Sequence, residues 1–327
     1  MFYIVSRGST ATHWLAKNLS KHPSLVCFFS SRSYPPVQPG HGYPFNKNSW
    51  VKDNMEASKF LDSLVMSEKA THNSKIFGSI HGYHNLEMKN LVEKKGGIFK
   101  YMVRNPIEQV HSAFITYCDR YFISINKNIP NKDIHEFICK NLNKEKTKER
   151  HFKNKTSRPH ILRNYLSEKN FLLLKRSREY IVNKYRLIFP RKKIYWGYEK
   201  DYGNLNENIL NLFAGVCRDF MRLQSLYLEN WGFEKAIKME KMFADRNYFK
   251  DIVLSFGDNL EVSEDFLDNV FSAKNERVNI HREQPINQEK IFNDLPDCMK
   301  EIFFYYFENF NIQELCEKFE YNIKLKN

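Results

Sequence analysis

The stretch that most limits what this chain can become is its first 23 residues. Phe2-Tyr3-Ile4-Val5 is a short apolar run of β-prone residues, and Ser6 to Thr12 is small and hydroxylated with one cation, Arg7. Trp14, Leu15 and Leu19 then recur at helical spacing until His22-Pro23 ends the pattern. That order predicts a strand, a tight loop and a helix. The small residues Gly8, Ser9, Thr10 and Ala11 leave backbone N–H groups uncovered. The following helix, entered at Thr12 and His13, adds its orphan N–H groups and the positive end of its dipole. Such a turn suits a phosphate or sulfate, and Arg7 adds a full charge. The same residues also suit an ordinary strand-to-helix connection that binds nothing. Neither G-x-x-x-x-G-K-[ST] nor G-x-G-x-x-G occurs, which sets aside the nucleoside-triphosphate loop and the dinucleotide fingerprint.

Strand and helix signals go on alternating. Leu25–Phe29, Lys75–Ile80, Ile98–Val103 and Ile194–Tyr198 read as further strands. Met55–Met66, Leu86–Lys95, a segment opening at Pro106, Leu205–Phe213 and Ser263–Phe271 read as helices, with Gly96-Gly97 as a stop and Ser263 as a cap. Ser30 to Trp50 reads as a long loop rich in Pro, Ser, Gly and Tyr, of the kind that lies over a site or binds a partner. Asp119 to Arg191 is rich in Lys, Arg and Asn, with helical runs at Asp133–Leu142 and Tyr180–Phe189. The expectation is one α/β domain over residues 1–327. It has a central parallel sheet of about five strands, helices on both faces, and a basic helical insertion at 119–191. Ligands of such sheets sit beyond the carboxyl ends of the strands. The loops at Arg7–Thr12, at His81 and at Arg104 each follow a strand and so converge on one edge.

Charge and cysteines narrow the partner and the compartment. Lys and Arg number 51 against 38 Asp and Glu, a net charge of +13. That surplus calls for an anionic partner: a phosphorylated or sulfated small molecule, nucleic acid or acidic lipid. None of the six cysteines forms a C-x-x-C pair or has a histidine at zinc-finger spacing, which reads as free thiols in a reducing cytosol. No basic-then-apolar leader and no run of 18 apolar residues occurs, so the expected setting is cytoplasmic with no membrane span. Nothing in the pattern calls for a metal.

Three separated stretches resemble one family, the sulfotransferases that use 3′-phosphoadenosine 5′-phosphosulfate (PAPS). Ser9-Thr10-Ala11-Thr12-His13-Trp14-Leu15 is similar to that family's K-S-G-T-T-W-L loop, and His22-Pro23 closes the helix as in the family. Ala11 stands where the family has Gly, and Ser9 where it has Lys; Arg7, two residues earlier, is the natural substitute cation. The second stretch, Tyr101 to Ser112, places Arg104 and Ser112 eight residues apart, the spacing of the family's 3′-phosphate ligands. The third, Ile76 to His81, matches the strand that ends in the family's catalytic histidine. Tyr198-Glu199-Lys200-Asp201 resembles a motif whose Tyr lies near the adenine, and the segment ending in Arg282 resembles the late basic segment that closes on the nucleotide.

The resemblance implies a kinase-like α/β fold and transfer of a sulfuryl group from PAPS to a hydroxyl or amine, leaving the product nucleotide 3′-phosphoadenosine 5′-phosphate (PAP). His81 would be the base, with His84 and His13 as alternatives, and Arg7 would stabilise the leaving phosphate. Arg7 to Trp14, Arg104, Ser112, Tyr198 and Arg282 would hold the nucleotide. The acceptor would be a small molecule or glycan. A nucleotide or small-molecule kinase is the rival enzyme. A basic nucleic-acid-binding protein is the rival without catalysis, although a Lys-rich insertion is usually a solvated face.

Overall fold

The computed structural model describes residues 1–6, 11–29, 32–34, 54–70, 75–80, 86–125, 127, 129–152, 204–272, 288–321 and 323. They divide into two compact units. The first comprises Met1–Ala113, Val216–Asn293 and Tyr306–Asn327; the second comprises Phe114–Gly215 and Asp294–Tyr305.

The first unit is built on a six-stranded sheet. Its strands are β1 (Phe2–Val5), β2 (Leu25–Phe29), β3 (Arg32–Tyr34), β4 (Ile76–Ile80), β5 (Ile98–Val103) and β6 (Ala236–Lys238), in the order β3-β2-β4-β1-β5-β6. Five of them run parallel, and β3 alone pairs antiparallel, at the edge against β2. The fold class is therefore the α/β parallel sheet that the alternation predicts. One expectation changes: Arg32–Tyr34, inside the segment read as loop, forms the edge strand. Ile194–Tyr198, read as a strand, and Tyr180–Phe189, read as a helix, lie outside the described residues.

The central strand is β1. All four of its residues are wholly buried, as a strand covered on both faces requires. Gly78 on β4 is paired with Phe2, and a Cβ there would fall within the Phe2 ring. Glycine is thus what lets that ring lie flat on the sheet and stack on Phe256 at 4.1 Å. Helix α1 (Thr12–Leu19) buries Trp14, Leu15 and Leu19. They join a core with Phe249, from a helix at Arg246–Leu254, and with Phe266 and Val270, from a helix at Glu264–Ser272. Ser263 caps that last helix, its Oγ accepting from the Phe266 N–H at 3.2 Å. His22 is 3% exposed; its Nδ1 accepts from the Ser24 N–H, and its Nε2 donates to the Glu261 carbonyl at 3.0 Å. His22, just past the end of α1, is therefore a buried brace, while Pro23 beside it is exposed.

Helix α2 (Asn54–Ala70) precedes β4, and a one-turn-and-a-half helix, α3 (Met88–Glu93), precedes β5. After β5, α4 (Pro106–Ser124) begins. Pro106 takes the first helical position, and Asn105 caps it, its Oδ1 accepting from the Ile107 N–H at 2.9 Å.

In the second unit, α5 (Ile134–Leu142) and α6 (Glu149–Phe152) precede the start of α7 (Leu205–Trp231). Phe114 meets Phe213 edge-on at 4.9 Å, and Phe122 meets Phe137 at 5.5 Å. A charged knot ties α6 to α7. Glu207, 3% exposed, accepts from Lys148 Nζ at 2.7 Å, from His151 Nε2 at 2.8 Å and from Arg150 Nε. His151 Nδ1 accepts from the Lys148 N–H, so its single proton sits on Nε2.

All six cysteines are free, and burial pushes each thiol above its ordinary range, Cys316 to about 12. Among the described residues, no helix is long and apolar enough to cross a membrane.

Candidate functional site

The site sits in the first unit, at the carboxyl edge of the sheet. β1 pairs with β4 on one side (Ile4 with Ile80) and with β5 on the other (Val5 with Tyr101), all parallel. The exits of these three strands, which lead to the Ser6–Thr12 loop, to His81 and to Arg104, therefore lie at one edge. Chain direction also reverses here: β1 leads outward to β2, whereas β5 leads the other way to β6. That is a switch point of the kind where α/β sheets bind ligands.

Of the expected nucleotide-binding residues Arg7 to Trp14, the last four, Ala11 to Trp14, are described. Ala11 occupies the left-handed region (φ 54°, ψ 28°) and stands at the cap position of α1, where it supplies no side-chain cap. A left-handed residue directly before a helix turns successive N–H groups toward one concavity. An L-alanine bears some strain there, which a glycine would not. No acidic residue stands in the first turn of α1. No residue of that first turn therefore offsets the positive end of the helix. Thr12 is 7% exposed, and His13 is half-buried. Trp14 is 4% exposed, with its ring on Phe243 at 4.4 Å, and its Nε1 is buried without a hydrogen-bond partner among the described residues. Trp14 is thus a core residue, and what it can offer a ligand is its backbone N–H.

Arg104 directly follows β5, and its guanidinium is already engaged. Nε and Nη2 both donate to one oxygen of Glu108, at 3.0 and 2.8 Å, and the two side chains are each 13% exposed. Ser112 is half-buried on α4, one turn beyond Glu108. Glu108 and Ser112 therefore share one face of α4, and Arg104, just before the helix, pairs with Glu108, which puts a carboxylate between the two expected phosphate ligands. Arg104, expected as a phosphate ligand, is thus already paired with a carboxylate; the sequence signal for that pairing is an Arg and a Glu four residues apart.

A second polar group flanks Arg104. Val103 pairs with Lys238, so the residues after β5 and after β6 are neighbours. Glu240 Oε1 accepts from the Asn105 N–H, and Glu240 Oε2 accepts from the Tyr321 hydroxyl, both at 2.9 Å. Burial, with Glu240 beside it, pushes the Tyr321 phenol far above its ordinary range.

Arg7, Gly8, Ser9, Thr10, His81, His84, Tyr198 and Arg282 lie outside the described residues. Of the expected site residues, the described part brings the α1 entrance and Arg104 to one edge. Ser112 follows on the helix that Asn105 caps.

No family model matches the sequence, and no curated protein matches it. Among solved structures, a sulfotransferase from Alicyclobacillus acidocaldarius matches with a TM-score of 0.31 at 15% identity, covering 86% of this chain and 96% of that one. At that score, function has to be argued from the residues of this chain.

Proposed function

We propose that this protein is a PAPS-dependent sulfotransferase acting on a hydroxyl or amine of a small molecule or glycan. The observation that supports it most is the meeting, at one sheet edge, of an α1 entrance without an acidic or side-chain cap, behind a left-handed Ala11, with Arg104 at the exit of the strand beside it. One element receives an anion through backbone N–H groups, the other through a guanidinium. A nucleotide bearing phosphate at both its 3′ and 5′ positions needs two such places.

The donor set fits that group in kind, with Glu108 as the one member that opposes it. PAPS, when bound, supplies the activated sulfuryl group. The N–H groups around Ala11–His13 and the charge of Arg7 bind the 5′ side and offset negative charge growing on the leaving phosphate. Arg104 and Ser112 bind the 3′-phosphate, and Tyr198 and Arg282 bind elsewhere on the nucleotide. His81 takes the acceptor's proton, its ordinary pKa of about 6.5 suiting that task near neutrality. The free thiols, five of the six buried, suit a reducing, cytoplasmic setting.

The test is transfer itself. Incubated with PAPS and a panel of hydroxyl and amine acceptors, the protein should release PAP. His81→Ala should lower that turnover about 10²–10⁴-fold while PAP affinity, read by calorimetry, stays within twofold. Turnover near that of the unaltered protein would remove His81 from the reaction.

A further inference from the structure

The C-terminal segment ends on an unusual local structure whose purpose the fold alone does not explain. Helix Ile312–Lys318 closes with Glu320 in the left-handed region (φ 54°). The Glu320 N–H donates to the Glu317 carbonyl, and the Tyr321 N–H donates back to the Cys316 carbonyl at 2.8 Å. This is a Schellman closure with a glutamate where glycine is usual. A strained non-glycine residue at a helix end persists when its surroundings hold it there.

The surroundings in question are polar and lie at the candidate site. The closure turns Tyr321 back so that it is 8% exposed and its hydroxyl reaches Glu240. Lys238 Nζ donates to the Phe319 carbonyl and stands over the Tyr321 ring at 4.7 Å. The other oxygen of Glu240 holds the Asn105 N–H, and the Asn105 side chain holds the first turn of α4. An unbroken line of bonds thus runs from the tail, through Tyr321, Glu240 and Asn105, to the turn that carries Arg104. Arg104 also lies close enough to Tyr321 to act electrostatically on its phenol.

We propose that Tyr321 is a positioning residue: the C-terminal segment is a strap that, through Glu240, fixes the β5–α4 turn and so holds Arg104 in place for the nucleotide's 3′-phosphate. The last clause rests on the function proposed above; the strap itself does not. Glu240 has two oxygens and two tasks. With the tail in place, one oxygen is held by Tyr321 and the other is fixed on Asn105. Without the phenol, the carboxylate is free to rotate and to compete for Arg104, an arrangement that puts a second acid against the phosphate.

Tyr321→Phe is the suitable variant, because it keeps the ring under Lys238 and removes only the hydroxyl. Two measurements are made on the full chain. Hydrogen exchange across residues 100–112 reports the turn without any nucleotide, and calorimetry with PAP and AMP reports the 3′-phosphate. The expected result is faster exchange at Asn105–Glu108, PAP affinity down about fivefold, as for one typical hydrogen bond, and AMP affinity within twofold. Unchanged exchange overturns the strap, whatever the nucleotides do. Faster exchange with PAP unaffected leaves a strap that does not serve Arg104 and overturns the positioning role. Faster exchange in a protein that binds PAP no better than AMP overturns the function proposed above, and with it the role of Arg104. Equal losses for PAP and AMP show a general loosening of the edge and overturn the proposal as well.

Discussion

Arg104→Ala is expected to weaken PAP at least 100-fold and to leave AMP within threefold. On the proposed function the charge it removes is the one the 3′-phosphate would meet, and truncating one partner of a desolvated charge pair commonly loses 2–5 kcal/mol. In this protein the loss has a second source. Glu108, 13% exposed and now paired to Arg104, would be left beside the phosphate with no cation between them. Arg104→Lys should recover only part of the affinity, because a lysine cannot bridge Glu108 and a phosphate in the way a planar fork can. Glu108→Gln should act in the opposite sense and tighten PAP about tenfold, since two unit charges a few ångströms apart near a surface interact by a few kcal/mol before screening. Affinity for PAP and AMP measured on all three variants decides the matter. Equal losses of both nucleotides in Arg104→Ala would make Arg104 a residue of the fold and not of the phosphate site.

Glu207→Ala is expected to remove about 3–5 kcal/mol from the stability of the second unit. A buried carboxylate that satisfies several donors is lost, and the N–H of the buried His151 is left without it. The knot also makes a pH dependence. Burial alone would raise the Glu207 carboxyl, but the hydrogen bonds from Arg150, Lys148 and His151 outweigh it and hold the group at about 2, against an ordinary 4.5. Its folded-state value is depressed, so its contribution is complete above about pH 4.5 and is lost as pH falls toward 2. That gap corresponds to on the order of 3 kcal/mol. Burial holds His151 below its ordinary value in spite of Glu207, so its contribution too is present above about pH 6.5 and falls on acidification. Denaturant unfolding followed from pH 7.5 to 3 should show stability falling throughout and a flatter profile in Glu207→Ala. A loss below 1 kcal/mol at neutral pH in the variant would mean that water already satisfies these groups.

Much of the sheet was legible because its strands are apolar runs with sharp ends. Ile98–Val103 is bounded by Gly96-Gly97 and Arg104-Asn105-Pro106, and it is found residue for residue. The α1 pattern of Trp14, Leu15 and Leu19 gives the buried face, and Ser263 caps the helix it was read to cap. The two short strands were not legible for opposite reasons. Arg32–Tyr34 is a three-residue edge strand, Arg-Ser-Tyr, and carries no apolar run. Ala236–Lys238 buries only Ile237, too little for a period to show. The polar surroundings of Arg104 were half legible. Glu108 lies four residues along, within reach of a helical rule, whereas Tyr321 meets Glu240 across 81 residues and can be found only once the chain has folded. Trp14, which the resemblance places among the nucleotide-binding residues, packs its ring on Phe243 and Phe249.

The central claim is that this edge of the sheet reads a nucleotide by its 3′-phosphate. Titration of the unaltered protein with PAP and with AMP in a calorimeter tests it without knowledge of the acceptor. PAP is expected to bind with a micromolar Kd, on the order of −8 kcal/mol, and at 100-fold excess to stabilise the fold by ~2.7 kcal/mol. AMP is expected to bind at least tenfold more weakly. Equal affinity for the two nucleotides, or heat from neither, would contradict it.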